Sequence, residues 1–370
     1  MGTDRIIYIR TDGNSQIASG HLVRCFSLAN ACKNTGMEIR FLVSDAESAF
    51  FLQNNLSADY PVTILKNASY DDLERELPEL LSLLSHAEHK HLIFLLDSYF
   101  VTENYLTAIR PLAKLVYLDD LMMFDYPVDL LVNYDVIPKR KLPAYQAAYL
   151  CAGRLLLGAG YAPLRGQFLN KIMPLRKQPS NLLLTTGGSD PCHFCLAFIR
   201  HMTQKPLWNK FRSLGFTFHI VIGNMNTDKE ALYELAKDFP SIKLYQNLDD
   251  MASLMESCDL AVSACGTTLY ELCAVGVPAI SYTMADNQLP SAKAFDETGA
   301  IPYAGDIRQS MKQVLDRISL FLSDMLTPEK ADQASALDHS LIKRKTAHEA
   351  MRSLVDGNGS SRIAKAISEL

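Results

Sequence analysis

The sequence predicts an α/β protein with two doubly wound domains. Three observations lead to this prediction: short apolar runs alternate with amphipathic stretches, the alternation occurs in two successive series, and a stretch rich in glycine and proline separates the series. Alternation of this kind is typical of βαβ units, which build parallel sheets. A chain of 370 residues is long enough for two such domains.

Each predicted strand is a short apolar run. In the first series the runs cover residues 6–9, 39–43, 62–65, 92–96, 114–118 and a short 130–133. In the second series they cover residues 181–185, 216–221, 242–245, 260–262, 279–282 and a short segment near 300–303. The charged segment 326–356 has a helical pattern, and a Gly-Asn-Gly break precedes a final short helix at 361–370.

These patterns predict the domain boundaries. Residues 158–163 and 174–180 are rich in glycine, proline and polar residues, so we place a linker at 158–180. The first Rossmann-like domain is then residues 1–157, the second is 181–355, and a C-terminal helix occupies 356–370.

Composition excludes several classes of protein. The formal net charge of −5 offers no basic face for nucleic acid. No apolar run approaches the roughly 20 residues that span a bilayer. The first strand begins without a leader pattern, so we expect a cytoplasmic protein with no membrane span.

The eight cysteines are scattered through apolar contexts, which favours buried thiols over disulfides. Cys192 and Cys195 form a single Cys-x-x-Cys pair. No second pair stands at zinc-site spacing, so helix packing is favoured over metal or redox chemistry. We expect no metal and no cofactor.

His21 is the leading catalytic candidate. It follows Ser19 and Gly20 at the predicted start of the first helix, just beyond the carboxyl end of the first strand. Ligands bind at this edge of open α/β sheets, and helix-start N–H groups favour anions. The helix dipole also disfavours imidazolium, which suits a group that accepts a proton. The alternative is a histidine that only caps or packs.

Other polar residues follow strands of the first series. Asp97 and Tyr99 come after the apolar run 92–96 and are expected to open onto the same crevice as His21. Asp119 and Asp120 follow the next run. The alternative for both pairs is a set of solvated strand-end carboxylates. No Asp-x-Asp motif for a divalent metal occurs.

Two turns of the second series are candidates for anion binding. Gly187, Gly188 and Ser189 follow the run 181–185, where glycines allow close backbone approach and Ser189 or Asp190 can cap the next helix.

In the segment 263–274, a small-residue turn leads into a helix. Gly266, Thr267 and Thr268 offer N–H groups and hydroxyls that fit a diphosphate, and Glu271 fits a ribose diol. The alternative for Glu271 is a capping box with Thr268. Farther along, the carboxamides of Asn287 and Gln288 can bind sugar hydroxyls or belong to an ordinary polar loop.

The segment 10–25 resembles the opening of the PseG-type UDP-sugar hydrolases of pseudaminic acid synthesis. In that family Arg-x-Asp precedes Gly-x-Gly-His-x-x-Arg-Cys, and here Arg10, Asp12, Gly20, His21 and the pair Arg24-Cys25 match. The resemblance continues at residues 96–99, 118–121, 158–165, 187–191, 265–271 and 287–288, and covers nearly the whole chain. The later motifs are shared with GT-B glycosyltransferases of the MurG kind, and the relatives include spore-coat polysaccharide proteins.

This resemblance implies a GT-B fold of two Rossmann-like domains facing an interdomain cleft, with UDP held by the C-terminal nucleotide-sugar-binding domain. It implies a catalytic set of His21, Asp12, Asp97 and Tyr99. The substrate-binding set comprises Arg10 and Gly20 from the first domain; Gly187, Gly188, Ser189, Gly266, Thr267 and Thr268 near the diphosphate; Glu271 at the ribose; Leu248 near the uracil; and Asn287 and Gln288 at the sugar.

The implied reaction is hydrolysis of a UDP-linked amino or deoxy sugar at the anomeric C1–O bond. UDP and the free sugar are released with inversion, in surface-glycan biosynthesis of the pseudaminic acid type. Two alternatives remain: a MurG-like glycosyltransferase that uses a UDP-sugar donor, and a non-catalytic nucleotide-sugar-binding subunit. A transferase predicts a basic or apolar acceptor surface on the first domain. We expect no Lys/Arg cluster there, which favours the hydrolase.

Overall fold

The computed structural model describes residues 5–17, 19–56, 59–87, 91–326 and 333–370, with side chains from 338 onward in the last range. The chain divides into two compact units. The first comprises Met1–Gly166 and Asn358–Leu370, and the second comprises Gln167–Gly357. The boundary after Gly166 falls inside the predicted linker.

In its described residues, the first unit contains seven strands and the helices that connect them. The elements are β1 (Arg5–Thr11), α1 (Gly20–Lys33), β2 (Glu38–Val43), α2 (Ala46–Phe50), β3 (Val62–Ile64), α3 (Leu77–Ser85), β4 (His91–Asp97), α4 (Glu103–Ile109), β5 (Lys114–Leu118), β6 (Leu130–Asn133), α5 (Leu142–Ala148) and β7 (Arg154–Leu157). A π-helical turn spans Phe51–Asn55, and 3₁₀ turns span Leu73–Glu76, Lys139–Lys141, Ala159–Tyr161 and Gly166–Phe168.

The strand order of the first sheet is β3-β2-β1-β4-β5-β6-β7. Every pairing is parallel. Successive residues of β1 face opposite sides: Ile7 and Ile9 pack with α1, whereas Ile6 and Tyr8 pack with residues of α3 and α4. Burial on both faces explains why these strands appear in the sequence as continuous apolar runs.

The second unit contains the elements β8 (Asn181–Thr185), α6 (Phe194–Thr203), α7 (Pro206–Ser213), β9 (Thr217–Val221), α8 (Lys229–Lys237), β10 (Ile242–Tyr245), α9 (Met251–Ser257), β11 (Leu260–Ala264), α10 (Thr267–Val275), β12 (Ala279–Thr283), α11 (Leu289–Glu297), β13 (Tyr303–Asp306), α12 (Ile307–Leu326) and α13 (Gln333–Leu354). A 3₁₀ turn spans Asp286–Gln288, and Ser310 interrupts α12 with non-helical dihedral angles. The strand order is β10-β9-β8-β11-β12-β13, again all parallel.

The prediction of two parallel-sheet α/β domains is confirmed. Three details differ. The sequence pattern missed β7, a four-residue edge strand. The last strand of the second sheet is Tyr303–Asp306 rather than 300–303. The final helix, α14 (Gly359–Ser368), begins two residues earlier than the predicted start at Ser361.

Helix α14 belongs to the first unit although it follows the second in sequence. Its apolar residues Ile363, Ala364, Ala366 and Ile367 join the core that contains Leu22 and Leu28 of α1. A Cβ on Gly359 would lie 2.1 Å from the carbonyl oxygen of Ala162. Only glycine permits that approach, because a side chain would overlap the backbone.

All eight cysteines are free thiols, and Cys195 lies in the core of the second unit as the packing interpretation predicts. Cys151 is exposed, so burial does not extend to every cysteine. None of the described helices combines the length and apolar character of a membrane-spanning segment.

Two side chains of helix α13 cap the C-terminal end of α10. Gly276 ends α10 in the left-handed conformation with φ 78°. The Nδ1 atom of His348 lies 2.7 Å from the Gly276 carbonyl oxygen, and Arg352 donates to the carbonyl of Ala274. Side-chain donors at a helix C-terminus satisfy the last carbonyls, and the Arg352 guanidinium also opposes the helix dipole.

We expect Gly276→Ala to destabilise the protein more than the matched variant Gly299→Ala. Both glycines have positive φ (78° and 73°), but a Cβ on Gly276 would lie 2.4 Å from His348 Nδ1, whereas Gly299 has open space around it. The left-handed backbone costs each alanine about 1–2 kcal/mol. The overlap adds about 1–3 kcal/mol at Gly276 alone. Equal losses of unfolding free energy in urea would contradict this account.

Candidate functional site

The first unit brings polar side chains together where its sheet changes direction. Strands β1 and β4 are neighbours, with Thr11 paired to Asp97, so their carboxyl ends are level. The connections from these two strands lead to opposite sides, which opens a crevice in a doubly wound sheet. Helix α1 starts at this edge, and its second residue is His21.

His21 and Asp97 form a buried pair. The Nδ1 atom of His21 lies 2.7 Å from Asp97 Oδ1, and the two residues are 6% and 1% exposed. Ser19, the N-cap of α1, makes no side-chain cap hydrogen bond. The interpretation of His21 as a capping residue is not favoured, because its ring nitrogen contacts a carboxylate on another element.

Asp97 is surrounded by hydrogen-bond donors. Arg24 donates through Nε to Oδ2 at 2.5 Å and through Nη2 to Oδ1, and Cys25 Sγ lies 3.4 Å from Oδ2. Burial acts to raise the pKa of Asp97, but Arg24 and His21 outweigh it and hold the pKa well below its usual range. The ionised form therefore stabilises the fold above the unfolded-state pKa of about 3.9, and this contribution is lost as pH falls through the lower folded-state value.

Tyr99 packs edge-on against the His21 ring, with centroids 4.5 Å apart and planes at 78°. Its hydroxyl donates to Asp120 Oδ2 at 3.2 Å. His21, Asp97 and Tyr99 share a small cavity with Asp12, so the structure places together the four residues predicted as catalytic. The cavity is completed by Ile17, Tyr70, Ser98 and Phe100.

Asp12 and Arg10 belong to a buried network. Arg10 is 0% exposed and donates from Nε and Nη2 to Glu76, both at 2.8 Å, and from Nη1 to Asp12 at 2.5 Å. Asp12 also accepts from Ser44 N and Oγ at 2.7 and 2.9 Å. Arg10 therefore orients Asp12 in this structure and presents no exposed guanidinium, in contrast to its predicted contact with substrate. Gly20 is exposed beside His21.

The interpretation of the strand-end carboxylates as solvated is wrong for Asp97 and Asp119. Asp119 is 2% exposed and accepts from Tyr126 and Tyr149 hydroxyls at 3.0 and 2.6 Å, which is a structural role.

Sequence reasoning also missed Tyr134 and Asp135, which follow β6 in the same pattern. Burial and the carboxylates of Asp120 and Asp119 raise the pKa of Asp135 to about 7.

In the second unit, the predicted glycine turn follows β8 at the corresponding switch point beside β11. Gly187 has φ 77°, which favours glycine. A Cβ on Gly223 would lie 2.3 Å from the carbonyl oxygens of both Gly187 and Gly188. The turn therefore packs closely against the loop that follows β9 and contains Gly223.

Asp190 caps the helix after this turn. Its carboxylate accepts from Phe194 N and Cys195 N at 2.8 and 2.9 Å. Two N–H groups of the first turn of α6, those of Phe194 and Cys195, are therefore occupied by the Asp190 side chain. Any anion at this turn would bind the glycine backbone of Gly187, Gly188 and Ser189 rather than the helix start.

The second predicted turn leaves its helix start exposed. Gly266 is the N-cap of α10 and makes no side-chain cap hydrogen bond; Gly266 and Thr267 are exposed and Thr268 is partly exposed. The capping-box alternative for Glu271 is wrong, because the helix begins at Thr267 and Thr268 is already inside it. Helix-start N–H groups and hydroxyls at an exposed turn suit an anionic ligand.

The remaining predicted contacts lie at other strand ends. Asn287 is exposed in the turn Asp286–Gln288, whereas Gln288 uses Oε1 to accept from Met284 N at 2.9 Å. Leu248 follows β10, the edge strand three positions from β11. At about 4.8 Å per strand, this separates it from the α10 turn by roughly 14 Å.

No group of three or more His, Cys, Asp or Glu side chains that could hold a metal ion occurs among the residues described.

We expect Glu76→Gln to destabilise the first unit strongly, whereas Glu74→Gln is nearly neutral. Glu76 is 0% exposed and accepts from Arg10 and from the Tyr105 hydroxyl. Glu74 accepts from exposed Thr102 and Asn104 side chains. Loss of one partner of a buried ion pair costs about 3–5 kcal/mol, and an exposed contact under about 1 kcal/mol. Denaturant unfolding of both variants checks this, and a neutral Glu76→Gln would contradict it.

Residues 182–350 match the model of the glycosyltransferase family 28 C-terminal domain. An uncharacterized protein of Methanocaldococcus jannaschii is 26% identical over 74% of this chain. The spore coat polysaccharide biosynthesis protein SpsG of Bacillus subtilis is 28% identical over 53% of it. These matches span 54% and 52% of the two relatives, about half of their length.

A third relative is a Helicobacter pylori protein named pseudaminic acid cytidylyltransferase and UDP-2,4-diacetamido-2,4,6-trideoxy-beta-L-altropyranose hydrolase. It is 28% identical over 39% of this chain and 24% of its own length.

Two solved structures show the same fold. MurG of Acinetobacter baumannii superposes with a TM-score of 0.64 at 14% identity, covering 99% of this chain and 100% of that one. The pneumococcal O-GlcNAc transferase GtfA, in complex with UDP and GlcNAc, gives 0.62 at 11% identity with 99% of each chain covered. The chain therefore has the GT-B fold of two Rossmann-like α/β domains, and it is a homologue of SpsG and of the hydrolase-bearing protein of pseudaminic acid synthesis.

Proposed function

We propose that this protein hydrolyses a UDP-linked amino or deoxy sugar at the anomeric C1–O bond, releasing UDP and the free sugar with inversion. The observation that carries the proposal is the buried His21–Asp97 pair beside a small cavity at the switch point of the first sheet. Among the residues that the structure describes, the polar contacts of the His21 ring are made by Nδ1. This leaves Nε2 as the ring atom that can accept a proton from water.

In the proposed step, a water oxygen forms a bond to C1 while the bond from C1 to the diphosphate oxygen breaks. UDP leaves with the electron pair, and the water proton passes to His21 Nε2. Asp97 holds Nδ1, so the ring keeps one orientation and one tautomer. Asp12 and Tyr99 line the same cavity and orient the water or the sugar hydroxyls.

UDP binding is assigned to the second unit. Gly187, Gly188 and Ser189 would offer backbone N–H groups to the diphosphate. The exposed α10 start would contribute Gly266, Thr267 and Thr268, and its N–H groups stabilise charge that develops on the leaving group. Glu271 would bind the ribose, Leu248 the uracil, and Asn287 and Gln288 the sugar.

Three comparisons support the proposed function. The Helicobacter pylori relative is named as a hydrolase of a UDP-linked diacetamido-trideoxy sugar. The GtfA structure contains UDP and GlcNAc on the same fold. The name of SpsG supports a place in polysaccharide biosynthesis.

A glycosyltransferase is the second candidate, because the same fold and base would serve a sugar hydroxyl in place of water. One observation favours it. The expectation that the first domain lacks a Lys/Arg cluster is wrong, since Lys139, Arg140 and Lys141 form an exposed 3₁₀ turn followed by Leu142, which is 37% exposed. The third candidate is a non-catalytic binding subunit, which would have no use for a buried histidine–carboxylate pair.

We expect the wild-type protein to release UDP from a UDP-sugar without an added acceptor. His21→Ala should lower this rate by about 10²–10⁴-fold, because the proton acceptor is lost, while UDP affinity stays nearly intact. The measurement is UDP release across a panel of UDP- and CMP-linked sugars, with and without acceptor, together with UDP calorimetry. Turnover only with acceptor would support the transferase, and binding without turnover the silent subunit.

Two variants control this test. His21→Asn can still donate an amide hydrogen to Asp97 but cannot take a proton at neutral pH, so its rate should fall like that of His21→Ala. His86 is exposed at the end of α3, and His86→Ala should retain wild-type activity. Loss of UDP affinity in His21→Ala would count against the assigned role.

We expect Gly223→Ala to weaken UDP binding by about tenfold or more while the rest of the second unit stays folded. The new Cβ must displace the Gly187 and Gly188 carbonyls, which it would otherwise approach to 2.3 Å. Gly299→Ala is the control for general destabilisation of this unit. Isothermal calorimetry with UDP measures the effect; wild-type affinity in Gly223→Ala would remove the glycine turn from the proposed site.

A further inference from the structure

Arg24 is within hydrogen-bond distance of both members of the His21–Asp97 pair. It follows His21 by three residues on α1, so the two side chains lie on one face of the helix. Its Nη2 atom donates to Asp97 Oδ1, its Nε atom donates to Oδ2, and Nη2 lies 2.9 Å from His21 Nδ1. The side chain is only 12% exposed.

The guanidinium is also anchored from the opposite side. Its Nη1 atom donates to the Tyr134 hydroxyl at 2.5 Å and lies 3.4 Å from Asp120 Oδ2. Asp97, Asp120 and Tyr134 follow or end the neighbouring strands β4, β5 and β6. One planar cation therefore joins three strand ends and fixes its own position next to the imidazole.

We propose that Arg24 is the positioning residue for His21. It holds Asp97 so that Oδ1 faces Nδ1, and its positive charge neutralises the carboxylate. The imidazole is thereby held with its Nδ1–H toward the carboxylate, and Nε2 is the proton acceptor. This inference rests on the proposed function, in which His21 accepts a proton from the nucleophile.

The hydrogen-bond inventory supports this tautomer. Arginine carries only donors, so Nη2 and an Nδ1–H group cannot satisfy each other. Asp97 Oδ1, 2.7 Å from Nδ1, is an acceptor and takes hydrogen from both groups. Nδ1–H donation to the carboxylate is a charge-assisted bond, which is stronger than a bond between neutral groups.

The positive charge of Arg24 acts on the site separately from its hydrogen-bond geometry. A carboxylate without a counter-ion would stabilise imidazolium, and an imidazolium cannot act as a base. Arg24 offsets the charge of Asp97, and the other carboxylates that face the ring, Asp12 and Asp120, stay in place when Arg24 is replaced. Arg24 thus makes two separable contributions: the bidentate geometry that fixes Asp97, and the charge that balances it.

The test compares Arg24→Gln with Arg24→Lys. Loss of the charge in Arg24→Gln should lower kcat at least tenfold and move the acid-side midpoint of the pH–rate profile upward by about one pH unit. The protonation midpoint of His21, followed by imidazole NMR of the whole protein without ligand, should move in the same direction. Arg24→Lys keeps the charge but loses the bidentate contact with Asp97, so kcat should fall while the protonation midpoint of His21 stays unchanged.

Arg40→Gln is the matched control, because Arg40 pairs with Glu38 and its side chain is 43% exposed. Arg40→Gln should change neither kcat nor the protonation midpoint of His21. An unchanged acid-side midpoint in Arg24→Gln would overturn the assignment even if the rate fell, since a merely structural role predicts that result. If Arg24→Gln does not fold, wild-type kcat in Arg24→Lys would overturn it.

The NMR titration separates this inference from the proposed reaction. If the wild-type protein turns over no UDP-sugar, the proposed function fails, yet an upward shift of the His21 midpoint in Arg24→Gln would still support the electrostatic role. If turnover occurs and neither midpoint moves, the role of Arg24 fails and the proposed function stands.

Discussion

The candidate site of the first unit depends on the hydrogen bonds and the ion pair that the buried, ionised carboxylate of Asp97 makes. A buried charge is costly unless it is paired and hydrogen-bonded. Here His21, Arg24 and Cys25, all on α1, supply that pairing. Their spacing of three and four residues places them on one face of the helix. The carboxylate therefore fixes how α1 meets the end of β4, and with it the direction of the imidazole.

The same topological rule places the candidate ligand groups of each unit. Both sheets are parallel and doubly wound, with β1 beside β4 in one and β8 beside β11 in the other. In each unit the polar residues collect at that switch point, where backbone and side-chain groups are not covered by a crossing helix. The first unit uses the space for an imidazole and carboxylates. The second uses it for glycine turns and an exposed helix start, a chemistry suited to phosphates.

Buried ion pairs and hydrogen-bonded carboxylates around the site serve geometry more than net stability. Arg10 and Glu76 are fully buried and orient Asp12, while Asp119 is saturated by the hydroxyls of Tyr126 and Tyr149. Such pairs recover little more than their desolvation cost, but they leave one arrangement of the polar groups. A base that must accept a proton from one direction depends on that uniqueness.

The sequence by itself determined the two α/β domains, nearly all of their strands, and the candidates His21, Asp97 and Gly266, because apolar runs and strand-end polar residues are local signals. It could not show that Arg10 faces Glu76 rather than a ligand, that Asp190 occupies the start of α6, or that Arg24 contacts Asp97. It also missed that α14 packs with α1. These features depend on contacts between residues 66 or more positions apart, or on helix-start geometry, and only the folded chain sets them.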